Sequence, residues 1–242
     1  MTVAGEYGDR REEMGHPREN DSHEPYEAQI AELASAYAAA LLSGNEVAAE
    51  TAIREAMDAE LSTADIQEKV MAPALWLVGD LWERGKLSVA EEHIATEISV
   101  RVLTLQQEAQ RVAESRQTSR VMLATPSGEL HVVALRMVAN LLRGAGYDTV
   151  MVGPDVPGRT LGAVARLHRA EVICMSATMS AQTTEVVSTI DEVRHVWPSA
   201  GFVVGGRGLS LQRQPRAEVY VCARVSEAVE AVDAMVKRAG LN

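Results

Sequence analysis

The chain is short of aromatic residues, which make up 4% of its 242 positions and include a single Phe. Its core must therefore be built from Ala, Val, Leu, Ile and Met, and a hydrophobic share of 47% is enough to do so. Basic residues are also outnumbered: 23 Lys and Arg stand against 34 Asp and Glu, a formal net charge of −11. This argues against a partner gripped through nucleic-acid phosphates, which calls for a basic face. It suits a soluble cytoplasmic protein. Only two cysteines occur, Cys174 and Cys222, both in apolar strand-like runs. They read as small buried hydrophobes in a reducing compartment. No apolar run is long enough to span a bilayer. The N-terminus lacks the apolar centre of a signal peptide, and no 20- to 50-residue repeat is evident.

What is present falls into two halves with different periods. Residues 1–25 are charged and poor in aliphatics, and read as a disordered tail that carries His16 and His23. Residues 26–115 follow a helical period and predict a four-helix bundle cap. The first helix places Ile30, Leu33, Ala34, Tyr37 and Leu41 on one stripe and stops at a Gly. Asn45 is a good N-cap for the second, with a stripe of Val47, Ala48, Ile53, Met57 and Leu61. The third starts near Thr63, and Pro73 inside it is expected to kink it. Ser88 and Glu91 form an S-x-x-E capping box for the fourth, which runs to about Ala113. Residues 118–242 alternate short β-rich runs with helical stretches, the first helix expected from Leu130 to Arg143 and the second strand over Asp148–Val152. Five such strands imply a parallel sheet with helices on both faces.

In an open sheet of this kind ligands bind beyond the carboxyl ends of the strands, where the winding reverses. With strand 1 between strands 2 and 3, three polar or Gly-rich loops share that edge. They are "PSGELH" after strand 1, "SATMSAQT" after strand 3 and "GGRG" after strand 4. Glu129 reads either as a first-turn acid at a helix N-terminus or as a working group beside His131. As a pair they suit general acid–base chemistry, or a carboxylate that fixes the tautomer of a metal-bound imidazole. One His is a poor ligand set for bare zinc. It is adequate below a metal whose equatorial plane a macrocycle fills.

Glu129-x-His131-x-x-Ala134, Ser176-x-Thr178 and Gly205-Gly206 together resemble the signature of the cobalamin-binding domains, in order and on the expected strand ends. "GPDVP", residues 153–157, resembles the stretch after that family's second strand. The resemblance covers roughly residues 26–240. It implies a flavodoxin-like (Rossmann-like) five-stranded α/β domain behind a four-helix cap. It also implies that His131 is the lower axial ligand of cobalt, with Glu129 and Ser176 as its outer partners. Ser127, Gly128, Leu130, Gly153, Pro154, Val156, Thr178, Gly205 and Gly206 complete the implied cofactor contacts. Ala134 stands where the family has Gly, which crowds the helix start or the tunnel for the cofactor's nucleotide tail.

"WERGKLSVAEEH" places Trp82 nine residues before Glu92-His93. This W-x9-E-H spacing resembles the CarH-like light-sensing cobalamin domains, where the three side chains enclose the upper axial group, commonly 5′-deoxyadenosyl. Glu83 stands where those sensors carry a further His. The resemblance implies a photoreceptor rather than an enzyme. Adenosylcobalamin is its expected chromophore, with methylcobalamin as the other form, and biliverdin is a possible second chromophore as in photocobilins. It further implies a homodimer or homotetramer, an output protein still to be identified, and no direct DNA binding, since only the short acidic tail precedes the bundle. The alternative is a corrinoid protein of a methyltransferase system, which shares the same plan and carries a methyl group on cobalt.

Overall fold

The computed structural model describes residues 23–110, 119–209 and 219–239. The expected disordered tail lies outside these residues up to position 22, as does the expected end of the fourth helix near Ala113. The first half is helical: α1 (His23–Leu42), α2 (Glu46–Asp58), α3 (Thr63–Asp65), α4 (Ala72–Glu83) and α5 (Val89–Ala109). α1 starts three residues before the expected Tyr26. A π-helical segment, Ile66–Met71, joins α3 to α4 without a break. It stands immediately before Pro73, which has no N–H to offer the preceding turn. The expected kink thus takes the form of a widened turn. The caps behave as the sequence implies: Asn45 accepts the Ala48 N–H at 3.0 Å. Ser88 and Glu91 close a reciprocal box at the start of α5.

Ile30, Leu33, Tyr37, Leu41, Ile53, Ile66, Val70, Met71 and Val78 are buried in one bundle core. Val47 is instead 74% exposed. α2 turns an alanine-rich face inward, with Ala49, Ala52 and Ala56 buried beside Ile53. These small side chains allow α1 and α2 to approach closely.

The second half alternates β1 (Arg120–Pro126), α6 (Val133–Gly144), β2 (Asp148–Val156), α7 (Gly158–His168), β3 (Val172–Ser176), α8 (Thr183–Val196), β4 (Gly201–Gly205), β5 (Val219–Val221) and α9 (Glu227–Ala239). All pairings are parallel, in the order β2-β1-β3-β4-β5. Inward residues of α6 and α9 pack on one face, against Val121, Leu123 and Val203. Residues of α7 and α8 pack on the other, against Met122, Ile173 and Phe202. The chain therefore leaves β1 toward one face and β3 toward the other. The winding reverses between these two neighbours, and that is where a crevice forms. Among the described residues no helix is long and apolar enough to cross a membrane.

Two boundaries differ from the sequence reading. α6 begins at Val133, so Glu129 and His131 lie in the loop before it. β2 continues to Val156, passing through Gly153 at φ +116 and Asp155 at φ +55. Its register with β1 shifts there twice. "GPDVP" is mostly strand rather than loop.

Candidate functional site

The β1–α6 loop is built around one buried carboxylate. Glu129 is 1% exposed. Its Oε1 accepts the backbone N–H of His131 at 2.9 Å and meets the His131 Nδ1 at 2.5 Å. Its Oε2 accepts the Thr178 N–H at 2.7 Å, which ties the loop to the end of β3. The Glu129 carbonyl accepts the Thr125 hydroxyl and the Asp155 N–H. These bonds hold residues 129–132 out of the helix, so Glu129 is not the first-turn helix acid that the sequence allowed.

Burial pushes the Glu129 carboxyl up, but the donations from the His131 ring, the His131 backbone and the Thr178 backbone outweigh it. They hold it below the usual carboxylate range. The hydrogen bond to Glu129 in turn raises His131 above its ordinary value, against its partial burial, and Glu92 of the bundle adds a further push. A carboxylate can only accept, so Nδ1 carries the proton in the neutral ring. Nε2 is then left as the nitrogen with a lone pair.

A cavity of about 1000 Å³ lies between the bundle and the carboxyl edge of the sheet. Trp82, Glu92 and His93 line it from α4 and α5, and His131, Ser176, Thr178, Gly205 and Gly206 line it from the sheet. The two motif groups, read from separate halves of the chain, thus face one space. Glu92 is held by the Thr96 hydroxyl at 2.9 Å. His93 is the more open of the pair, with 69% of its side chain exposed and Nε2 3.6 Å from Glu92. Ala134 also lines the cavity, at the start of α6.

Other expected contacts lie elsewhere. Ser127, Gly128, Leu130, Gly153, Pro154 and Val156 are not on the cavity wall. Val156 is a core residue packed with Leu161 and its neighbours, because β2 runs on through Gly153 instead of looping over the crevice. Leu130 is 66% exposed. Gly128 is tied down by its N–H to Asp155 at 2.8 Å and by Gln182 at its carbonyl. Glu129 sits behind His131 rather than on the wall.

The glycines have a packing reason. Gly206 has φ +115, and a Cβ there would stand 2.2 Å from the Ala177 carbonyl oxygen. Gly206→Ala is expected to cost about 2–4 kcal/mol, from backbone strain and overpacking together. A lowered urea midpoint with an unchanged slope would report it.

Several lining residues escape the sequence reading. Trp76 shares the face of α4 with Gly79 and Glu83, and that helical spacing is a legible signal. Cys174 also lines the cavity, two residues before Ser176 on the same side of β3. Burial raises its thiol well above the ordinary value. Cys222, after β5, and Arg207, after Gly206, complete this wall, and neither carries a signal in the sequence.

Known proteins bear on this geometry. A B12 binding domain model matches residues 119–236, and a second B12 binding domain model matches residues 33–105. The sheet and the bundle are therefore each recognised, and the cavity lies where they meet. The chain is 30% identical over 148 residues to trimethylamine corrinoid protein 2 of Methanosarcina acetivorans, 60% of this chain and 67% of that one. It is 29% identical over 161 residues to the HTH-type transcriptional repressor CarH of Myxococcus xanthus, 66% of this chain and 50% of that one. The structure of the Methanosarcina barkeri monomethylamine corrinoid protein superposes with a TM-score of 0.68 at 19% identity, covering 81% of this chain and 94% of that one, and shares the fold. A helical cap on a Rossmann-like parallel sheet with a shared interface cavity defines a corrinoid-type architecture. The chain belongs to the B12-binding domain family.

The residues present fit that cofactor. Ser176 is buried, lines the cavity, and its Oγ has no hydrogen-bond partner among the described residues. A buried hydroxyl without a partner is costly unless a ligand supplies one. Among the described residues no three His, Cys, Asp or Glu gather to hold a bare metal ion. A lone imidazole with a free Nε2 suits a metal already bound in a macrocycle.

Proposed function

We propose that this chain is a cobalamin-dependent light sensor. In this reading His131 would hold the cobalt from the sheet side, and Trp82, Glu92 and His93 would line the space for its alkyl group from the bundle side. The observation that carries it is the shared cavity, in which both sets of side chains face one space. A bound alkylcobalamin supplies a cobalt–carbon bond that visible light breaks. The protein supplies the rest. Glu129 orients the His131 ring, and Ser176 offers its unpartnered hydroxyl. Trp82, Glu92 and His93 would repack on loss of the group they line. That alters the junction between bundle and sheet, the kind of two-arrangement interface that relays a signal to another copy or to an output protein.

The likeness to the trimethylamine corrinoid protein favours a second reading, a methyl carrier visited by a methyltransferase. The two are separated by loading the protein with adenosylcobalamin, exposing it to green light, and following absorption and light scattering. The sensor reading expects a spectral change together with a change in molecular mass. A biliverdin chromophore adds its own red-absorbing band. A loaded protein that keeps one mass in dark and light, and whose methylated form a methyltransferase turns over, contradicts the sensor reading. Trp82→Ala is expected to leave the dark spectrum intact and to abolish the light-dependent change in mass, read by the same scattering measurement.

A further inference from the structure

We infer that Arg207 is a positioning residue that clasps the bundle over the cavity and sets how fast a corrinoid enters and leaves. The inference rests on the cobalamin reading for its ligand, but its geometry stands apart from the cobalt ligand. Arg207 rides on a pinned loop. A Cβ at Gly206 would meet the Ala177 carbonyl oxygen, and one at Gly208 would come within 2.3 Å of the Met179 backbone. The β4 loop is thus pressed against the β3 loop, and Arg207 projects from a fixed base.

Its guanidinium reaches across to α4. Nη1 donates to Asp80 Oδ1 at 2.9 Å, and the guanidinium lies 5.9 Å from the centroid of the Trp76 ring. Trp76 and Asp80 are four residues apart, on one face of the helix. Arg207 and Trp76 both line the cavity, from opposite domains. The contact therefore spans its two walls.

The remaining ties between the halves differ in kind. Met137 of α6 sits inside the bundle core. The buried Asn140 side chain donates to the Leu103 carbonyl of α5 at 2.8 Å. These buried contacts form a pivot along α5 and α6. On the far side, Glu68 accepts the Ser226 N–H at 2.7 Å. The Arg207–Asp80 pair is half open to water, with side chains 52% and 36% exposed. Exposed ion pairs break cheaply, whereas buried apolar contacts do not. Opening about α5–α6 would part Arg207 from Asp80, together with the Glu68–Ser226 bond and the Val225 contact with the bundle, and leave the Met137 and Asn140 pivot in place.

The test uses the full chain as Arg207→Ala, Asp80→Asn and the exchanged pair Arg207→Asp with Asp80→Arg. Hydroxocobalamin uptake and release are timed by stopped-flow absorbance. In cofactor-free protein, the rate of maleimide labelling of the half-buried cavity cysteine Cys222 is measured. Arg207→Ala, which loses the ion pair and the ring contact, is expected to speed uptake, release and labelling by about threefold to tenfold, and Asp80→Asn, which loses only the ion pair, by about twofold to fivefold. The exchanged pair is expected to return toward wild type. Unchanged rates in singly substituted proteins that melt like wild type would overturn the clasp, as would slower uptake. If the wild type takes up no corrinoid, the cobalamin reading fails, and the labelling rates still decide the clasp.

Discussion

His131→Ala is expected to abolish the histidine-ligated spectrum of the cobalamin-loaded protein and to weaken corrinoid affinity by more than about 100-fold, beyond the 10- to 100-fold typical of losing an outer partner. The fold should survive. His131 lies in a loop, with 48% of its side chain exposed. Its removal leaves Glu129 with two of its three donors, the backbone N–H groups of residue 131 and Thr178. The stability loss should stay at about 1–3 kcal/mol, the cost of stripping one partner from a buried polar group. Absorption of the loaded protein and a urea melt of the cofactor-free protein separate the two effects. A variant that still melts cooperatively, with a midpoint lowered by no more than that loss, yet shows the spectrum of free cobalamin is the expected result.

Glu129→Gln is expected to damage the site without touching the ligand. The carboxylate accepts at both oxygens, from the His131 ring and backbone on one side and from Thr178 on the other. An amide has one accepting oxygen, so its NH2 must face an N–H donor on one side. Either the Thr178 tie breaks, or the imidazole loses the partner that keeps its proton on Nδ1. The expected loss is about 10- to 100-fold in corrinoid affinity, with about 1–3 kcal/mol of stability. Glu129→Asp keeps two acceptors on a shorter stem and should recover part of both. Titration with hydroxocobalamin beside a urea melt measures them. If Glu129→Gln binds as tightly as wild type, Glu129 does not orient the ring.

Local patterns made much of this architecture legible. The two periods give a helical half followed by an alternating strand–helix half, the order that the fold has. Asn45 and the Ser88–Glu91 box cap the helices that the sequence assigns to them. The strand order is the common one for five parallel strands with crossovers, with β1 between β2 and β3 as the sequence reading has it. The motif residues also converge: the bundle set sits on α4 and α5, and the sheet set on the ends of and loops after β1, β3 and β4, which share one edge.

Long-range bonds hid the rest. Glu129 and His131 looked like the opening of a helix because nothing near them in sequence shows that Thr125, Asp155 and Thr178 hold the loop open. Val156 looked like a cofactor contact because the positive φ at Gly153 and Asp155, which carries β2 onward, is a tertiary choice. Val47 joined the apolar stripe by type, yet the face that packs is the one with alanines small enough for close helix approach. Arg207 left no trace, because its partner Asp80 is 127 residues away.

The central claim is a bond from one imidazole nitrogen to cobalt. Electron paramagnetic resonance of the loaded protein in its cobalt(II) form tests it most directly, comparing natural-abundance protein with protein made from isotopically labelled histidine. The account predicts axial nitrogen splitting that changes pattern with the label, and in His131→Ala no splitting that responds to the label. Splitting indifferent to the histidine label in the wild type, or splitting that still responds to the label without His131, would contradict it.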